Sequence, residues 1–296
     1  MLIRYVCNGD LRKAQQQAKI ILEGISSERD SRFKEHELQK LETAEKKITL
    51  PPNLSEMLIA EDVSDFPISR YLLRQQEKSI IERVRRASIA SERLKELGIH
   101  YIPSLLLYGE SGCGKTTLAR YIAYRIDRPF IYARFSGIVD SLLGKSLSNL
   151  ARIFDYARTT PCVLCLDEID VIGMGRGQRN DVGEMNRVVV QLMQEMDRSA
   201  SSSIVLIGTT NRFDRLDDAL VRRFAIKEEL HRLSREEALL CAELFFKSVG
   251  ICPDESIEEW LSHQPITNPH DTYSAADIST ACTTFIIKTI TDSLAF

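Results

Sequence analysis

The chain has 296 residues, 44% hydrophobic and 27% charged, with 39 basic against 42 acidic side chains and a formal net charge of −3. This composition excludes bulk disorder and a whole-chain electrostatic grip on nucleic acid, and its apolar runs of at most five residues exclude a transmembrane helix. The opening MLIRYVCNGD lacks the apolar core of a signal peptide, and seven scattered cysteines fit a reducing cytoplasm better than a disulfide scaffold.

In chain order, residues 1–50 come first. Ile3, Val6, Ala14, Ala18, Ile21, Leu22 and Ile25, then Phe33, Leu38, Leu41 and Ile48, recur at helical spacing. They predict two amphipathic helices closed by Pro51-Pro52, read either as a plain extension or as a docking module. In the linker and leading segment, 51–103, a helix is expected from Ser69 to Leu97 with Gly98 as its cap. Its Arg83, Arg85, Arg86, Arg93 and Lys95 read as a solvated face ahead of a phosphate-binding one.

From Ile102 the pattern alternates. Apolar runs at 105–108, 129–133, 162–166 and 204–208 are separated by helical stretches at 115–127, 146–158 and 181–197. Continuous apolar strands between helices indicate an α/β unit over 104–232, a parallel sheet sandwiched by helices. The remainder, 233–296, reads as wholly helical, with helices at 234–249, 254–262 and 274–292.

The first apolar run leads into Gly109-Glu110-Ser111-Gly112-Cys113-Gly114-Lys115-Thr116, the pattern G-x-x-x-x-G-K-[ST]. Glycines let a backbone curl around a phosphate, and the loop N–H groups and the following helix N-terminus face the anion. Lys115 is expected on the β- and γ-phosphates and Thr116 on Mg²⁺, with Thr117 next in the same turn. Gly109 through Thr117 are therefore assigned to nucleoside triphosphate binding.

The run Cys162-Val163-Leu164-Cys165-Leu166 ends in Asp167-Glu168. Asp167 suits the Mg²⁺ shell opposite Thr116, and Glu168 suits a general base that polarises the attacking water. Cys162 and Cys165, three apart on a strand, face opposite sides, which argues against a zinc or redox pair. The run at 204–208 leads to Asn211, which alone reads as a turn residue and gains the role of orienting the water and the γ-phosphate only from the motif that follows it.

The phosphate loop, LCLDEID, GTTNRFDRLDDAL and RRF together resemble the AAA family within the AAA+ P-loop ATPases, over residues 63–290. The resemblance implies ATP with Mg²⁺ as ligands and a homo-oligomeric ring, usually a hexamer. By the same resemblance Arg222 and Arg223 are arginine fingers that reach the neighbour's ATP; the alternative for Arg223 is a salt bridge within its own chain. Residues 233–296 resemble the family's C-terminal lid. Tyr273-Ser274-Ala275-Ala276-Asp277-Ile278 looks like its S-G-A-D-I turn, with Ala275 in place of glycine and facing the adenine or ribose. No arginine stands at the start of that helix, which favours the protein-remodelling branch over DNA loaders and initiators.

Ser141-Leu142-Leu143-Gly144-Lys145 falls at the family's pore motif with Leu142 where an aromatic grips threaded polypeptide. Threading, engagement of one fixed partner and simple packing all stay open. The glycine-rich loop 173–180 and Arg187 fall where the family borders the pore or a neighbouring subunit. The whole reads as a cytoplasmic ring ATPase that remodels, disassembles or activates a protein on a separate chain, with no role for a membrane. The alternatives are a nucleic-acid-associated loader or regulator, and a nucleotide-gated scaffold that assembles an effector.

Overall fold

Leu105, Leu106 and Leu107 have no exposed surface, the mark of a strand covered on both faces. A computed structural model describes residues 18, 20–21, 50–135, 138, 145–173, 181–200, 202–266 and 271–294. Ala18, Ile20 and Ile21 are helical, but the two helices expected over 1–50 otherwise lie outside the described residues. So do residues 141–144 of the expected pore motif and 174–180 of the glycine-rich loop.

The main sheet has six strands: β1 (Ile59–Glu61), β2 (Ser104–Tyr108), β3 (Phe130–Arg134), β4 (Cys162–Asp167), β5 (Ile204–Thr210) and β6 (Ile226–Glu229), in the order β1-β3-β4-β5-β2-β6. All neighbours are parallel except β1, which pairs antiparallel with β3. The four central strands match the expected apolar runs. The edge strands were not legible: β1 is three residues long, and β6, Ile-Lys-Glu-Glu, buries only Ile226.

Helices α1 (Gln75–Glu96) and α2 (Lys115–Arg125) cover one face, and α3 (Lys145–Thr159), α4 (Asp181–Ser199) and α5 (Asp218–Arg223) the other. Alternation along the strands sorts the side chains between two cores. Leu106, Leu164 and Leu206 pack with Phe154, Leu192 and Leu220, whereas Leu105, Leu107, Val163 and Ile207 pack with Ile80, Val84, Leu118 and Ile122. Cys162 belongs to the first core and Cys165 to the second, so the two thiols do not converge. This is the expected α/β architecture.

The leading helix begins later than expected. Ile68–Arg70 form a 3₁₀ turn and Arg74 is extended (φ −72°, ψ 160°), so α1 starts only at Gln75. The Glu77 carboxylate fixes that start, accepting the Arg74 backbone N–H at 3.0 Å and its guanidinium at 2.8 Å. Farther along, Arg83 pairs with Glu228, Arg85 and Arg86 with Glu82, and Arg93 with Glu96, as a solvated face should. Among the described residues no helix is long and apolar enough to cross a membrane.

Beyond the sheet, α6 (Arg235–Val249), α7 (Ile257–Ser262) and α8 (Ala275–Leu294) build a core of their own around Phe246, Trp260, Ile278 and Cys282. The expectation of a wholly helical tail needs correction. Leu233–Ser234 (β7) and Thr272–Tyr273 (β8) pair antiparallel at the entrance to these helices, and two-residue strands carry no periodicity to read.

The Phe of the RRF stretch explains its own place. Phe224 is fully buried, and a Cβ on Gly208 would lie 2.8 Å from its ring. Phe224 thus seats the end of α5 against β5. Phe224→Ala is expected to destabilise the chain by about 3–5 kcal/mol in urea unfolding, through the cavity left under α5.

Candidate active site

The site forms because β5 lies between β4 and β2, so the carboxyl ends of three buried strands stand side by side. From β2 comes the phosphate loop, from β4 Asp167 and Glu168, and from β5 Asn211. Two glycines of the loop are required by close approach. Gly109 (φ +136°) would place a Cβ 2.1 Å from the Leu230 carbonyl oxygen, and Gly112 (φ +81°) would place one 2.2 Å from Ser274 Oγ. Gly114, also at positive φ, hands the chain to α2.

Lys115 opens α2 and curls back over the loop. Its Nζ donates to the carbonyl oxygens of Gly109 and Glu110, both at 2.8 Å, and to Asn211 Oδ1 at 2.7 Å. All three ammonium protons are therefore used. Burial lowers the Lys115 pKa below the usual lysine range.

The Asp167 carboxylate is held on both oxygens. Oδ2 accepts from Tyr132 Oη at 2.9 Å and from Thr116 Oγ1 at 3.3 Å. Oδ1 accepts the Glu168 backbone N–H at 3.1 Å and the Thr209 hydroxyl. Glu168 has φ +58°, an uncommon conformation for a side chain of this type, and its carboxylate lies 3.9 Å from the Arg134 guanidinium. One residue pair behind, Thr210 Oγ1 donates to Asp170 Oδ1 at 2.7 Å and accepts the Arg212 N–H at 2.9 Å, which fixes the turn that presents Asn211.

These groups share one cavity of about 800 Å³. Of the expected site residues, Ser111, Gly112, Cys113, Gly114, Lys115, Thr116, Thr117, Asp167, Glu168, Asn211 and Ala275 line it. Gly109 and Glu110 stand at its base and hold Lys115 through their carbonyls. The rest of the lining combines the apolar Tyr71, Leu72, Leu233, Phe245 and Ala276 with the charged Arg70, Arg74 and Glu77. A cavity with a phosphate loop on one part of its wall and aromatic and aliphatic side chains on another suits a nucleotide. Thr116 and Asp167 offer hard oxygen donors 3.3 Å apart, the donor chemistry that Mg²⁺ takes.

Arg222 and Arg223 are not among the cavity-lining residues. Arg222 is exposed on α5, whereas Arg223 pairs with Asp197 at 3.2 Å and donates to the Ala219 carbonyl at 3.1 Å. The salt-bridge alternative for Arg223 therefore holds within a single chain. Arg187 is exposed on α4.

Cys113, in the loop, is only 4% exposed, and burial pushes its thiol up. Tyr71, Leu233 and Phe245 of the cavity, and Tyr132 and Thr209 as partners of Asp167, were not read from sequence. Tyr132 sits in an apolar strand like any core aromatic, and Thr209 reads as one more strand residue.

Lid and loop touch directly. The Ala276 N–H donates to the Gly112 carbonyl at 3.2 Å, and Ser274 Oγ approaches the same oxygen at 3.4 Å. Gly112→Ala is expected to push this contact apart and strain the loop, weakening binding of a fluorescent ATP analogue by about tenfold or more in titration.

A family model, "ATPase family associated with various cellular activities (AAA)", matches residues 105–232. The chain is 32% identical over 198 residues to a peroxisomal ATPase PEX6 of Penicillium chrysogenum, covering 63% of this chain and 13% of that protein. It is 34% identical over 181 residues to a proteasome-activating nucleotidase of Methanosphaerula palustris, covering 58% of this chain and 44% of that protein. It is 32% identical over 218 residues to the 26S proteasome regulatory subunit 10B of Dictyostelium discoideum, covering 71% and 54%. The chain thus spans about half or less of the length of these relatives. With the phosphate loop, the strand-end carboxylates and the C-terminal helices in place, residues 105–232 of the chain form an AAA domain.

Proposed function

We propose that this chain is an ATPase that converts ATP and water to ADP and phosphate with Mg²⁺, working in an oligomeric ring. A hexamer is the form that family resemblance favours. The observation that carries the reading is the convergence of Lys115, Thr116, Asp167, Glu168 and Asn211 on one cavity. In this reading residues 104–232 perform the chemistry, 233–296 act as the lid, and 1–50 are a docking module on a chain that works in the cytoplasm.

The loop N–H groups and Lys115 hold the phosphates, with Lys115 exchanging the Gly109 and Glu110 carbonyls for phosphate oxygens. When bound, Mg²⁺ neutralises charge on the phosphates, held by Thr116 and by the shell that Asp167 completes. Glu168 takes the proton of the attacking water, and Asn211, released from Lys115, orients that water and the γ-phosphate. Ala275 and the start of α8 close over the ribose and base. Arg222, exposed and away from its own cavity, is supplied to the site of a neighbouring copy, and Arg223 stands beside it as the second cation.

The work done is remodelling, disassembly or activation of a protein partner on a separate chain. The relatives' names, tied to the proteasome and the peroxisome, support a protein partner. Glu82, Glu96 and Glu228 stand among the arginines of α1, so that helix presents mixed charge and not the basic stripe that favours nucleic acid.

Two variants test this. Glu168→Gln is expected to bind ATP, to lower turnover by about 10²–10⁴-fold, and to retain the protein partner in an ATP-dependent pull-down. Arg222→Ala should lower turnover by about 10³-fold or more while ATP affinity stays near wild type. Full turnover in Arg222→Ala would remove the neighbour-completed site, and full turnover in Glu168→Gln would remove the general base.

A further inference from the structure

Asp167 is gripped more elaborately than a metal-shell carboxylate needs for its first contacts. Four donors surround it, two on each oxygen: Tyr132 and Thr116 on Oδ2, Thr209 and the Glu168 N–H on Oδ1. They come from different elements, β3, α2, β5 and the turn after β4. Thr116 is the donor expected to turn its oxygen toward a cation, which weakens its bond to Oδ2. What then holds Oδ2 is the Tyr132 hydroxyl, at 2.9 Å.

Tyr132 is itself braced. The Arg120 guanidinium lies 5.9 Å from its ring centroid and 5.5 Å from that of Phe130. Glu61 on β1 fixes Arg120 through two bonds of 2.5 and 2.9 Å. Arg120 sits one turn along α2 from Thr116 and lines the same cavity. A chain of contacts thus runs from the edge strand through Arg120 and the tyrosine ring to the carboxylate.

We propose that Tyr132 is a positioning residue for Mg²⁺ binding: its hydroxyl sets the orientation in which Asp167 presents its oxygens to the metal shell. The inference rests on the reading of Asp167 as the metal-shell carboxylate. Partners of this kind typically change metal affinity by about 10–100-fold when removed, because the ligand is left free to rotate. The phenol, unlike Thr116, has no role on the metal; besides the carboxylate it faces only the Arg134 guanidinium among the charged groups that shift it, and that guanidinium lies 3.9 Å from Glu168.

The test uses the full chain and a fluorescent ATP analogue, titrated with Mg²⁺ and, separately, in EDTA. Tyr132→Phe keeps the ring under Arg120 and removes only the hydroxyl. It is expected to raise the Mg²⁺ concentration at half-saturation by about tenfold while EDTA binding stays near wild type. Tyr132→Gln, which returns a donor, is expected to recover part of the loss, and serves as the second variant should Phe compromise folding. An unchanged Mg²⁺ midpoint in Tyr132→Phe, or equal loss of affinity with and without Mg²⁺, overturns the inference. Wild-type binding that ignores Mg²⁺ would instead overturn the assignment of Asp167 itself, and the inference with it.

Discussion

Everything in this site depends on one topological constraint, the insertion of β5 between β2 and β4. A parallel sheet aligns its carboxyl ends on one edge, and the crossovers that link parallel strands leave that edge open to a ligand. Because β4 and β2 flank β5, the lysine after one and the carboxylates after the other are held apart by a single strand. Asn211, at the end of that strand, then spans the gap, and its bond to Lys115 at 2.7 Å records how short it is. Had β5 taken an edge position, Lys115 and Asp167 would sit on adjacent strands with no polar group between them.

The second constraint is the contact between loop and lid. Gly112 has a left-handed φ and no Cβ, so its carbonyl can take the Ala276 N–H while Ser274 packs against its α-carbon. The lid core around Phe246 and Trp260 is separate from the two sheet cores, so the helices can behave as one body. Both polar and apolar contacts join them to the rest. Arg70 donates to Ser248 Oγ at 2.9 Å and stacks on Phe245 at 5.3 Å, Arg74 lies 3.9 Å from Glu237, and Leu72 packs against the lid core. Arg70, Leu72, Arg74 and Phe245 also line the nucleotide cavity, so the same residues face both the lid and the site.

How much of this could be read in advance follows from where each group lies along the chain. The phosphate loop and Asp167-Glu168 were legible because each follows directly on an apolar run, and a run ending in a polar group marks a strand end; Asn211, three residues beyond its run, gained its reading from the motif that follows it. Tyr132 and Thr209 were not, since their link to Asp167 exists only once β3 and β5 flank β4. Neither residue differs locally from a strand aromatic or a strand threonine. The apolar side chains of the cavity wall, among them Tyr71, Leu233 and Phe245, come from three separate segments, so no single window of sequence contains them. The early start given to α1 has a different cause. Tyr71, Leu72 and Leu73 form a short apolar run that a helix could include, but Arg74 and Glu77 cap the helix at Gln75 by a side-chain bond that periodicity cannot register.

The two arginines before Phe224 show how packing can sort residues that sequence treats alike. Phe224 lies under β5 against Gly208, which fixes the end of α5 and leaves Arg222 and Arg223 on different sides of it. Arg223 falls within reach of Asp197 on α4; Arg222 points to solvent. The pair at Arg223 is shallow, with the arginine side chain 34% and the aspartate 61% exposed. Exposed pairs of this kind contribute about 0–1 kcal/mol, because water screens the charges and two long side chains lose freedom. A desolvated phosphoryl group attracts a guanidinium far more strongly than that. The salt bridge within the chain therefore does not remove Arg223 from action at a neighbouring site. It gives the side chain a resting place on its own chain, while Arg222 needs no release at all, and this difference sets Arg222 first of the two as the residue on which the proposed neighbour-completed site would depend.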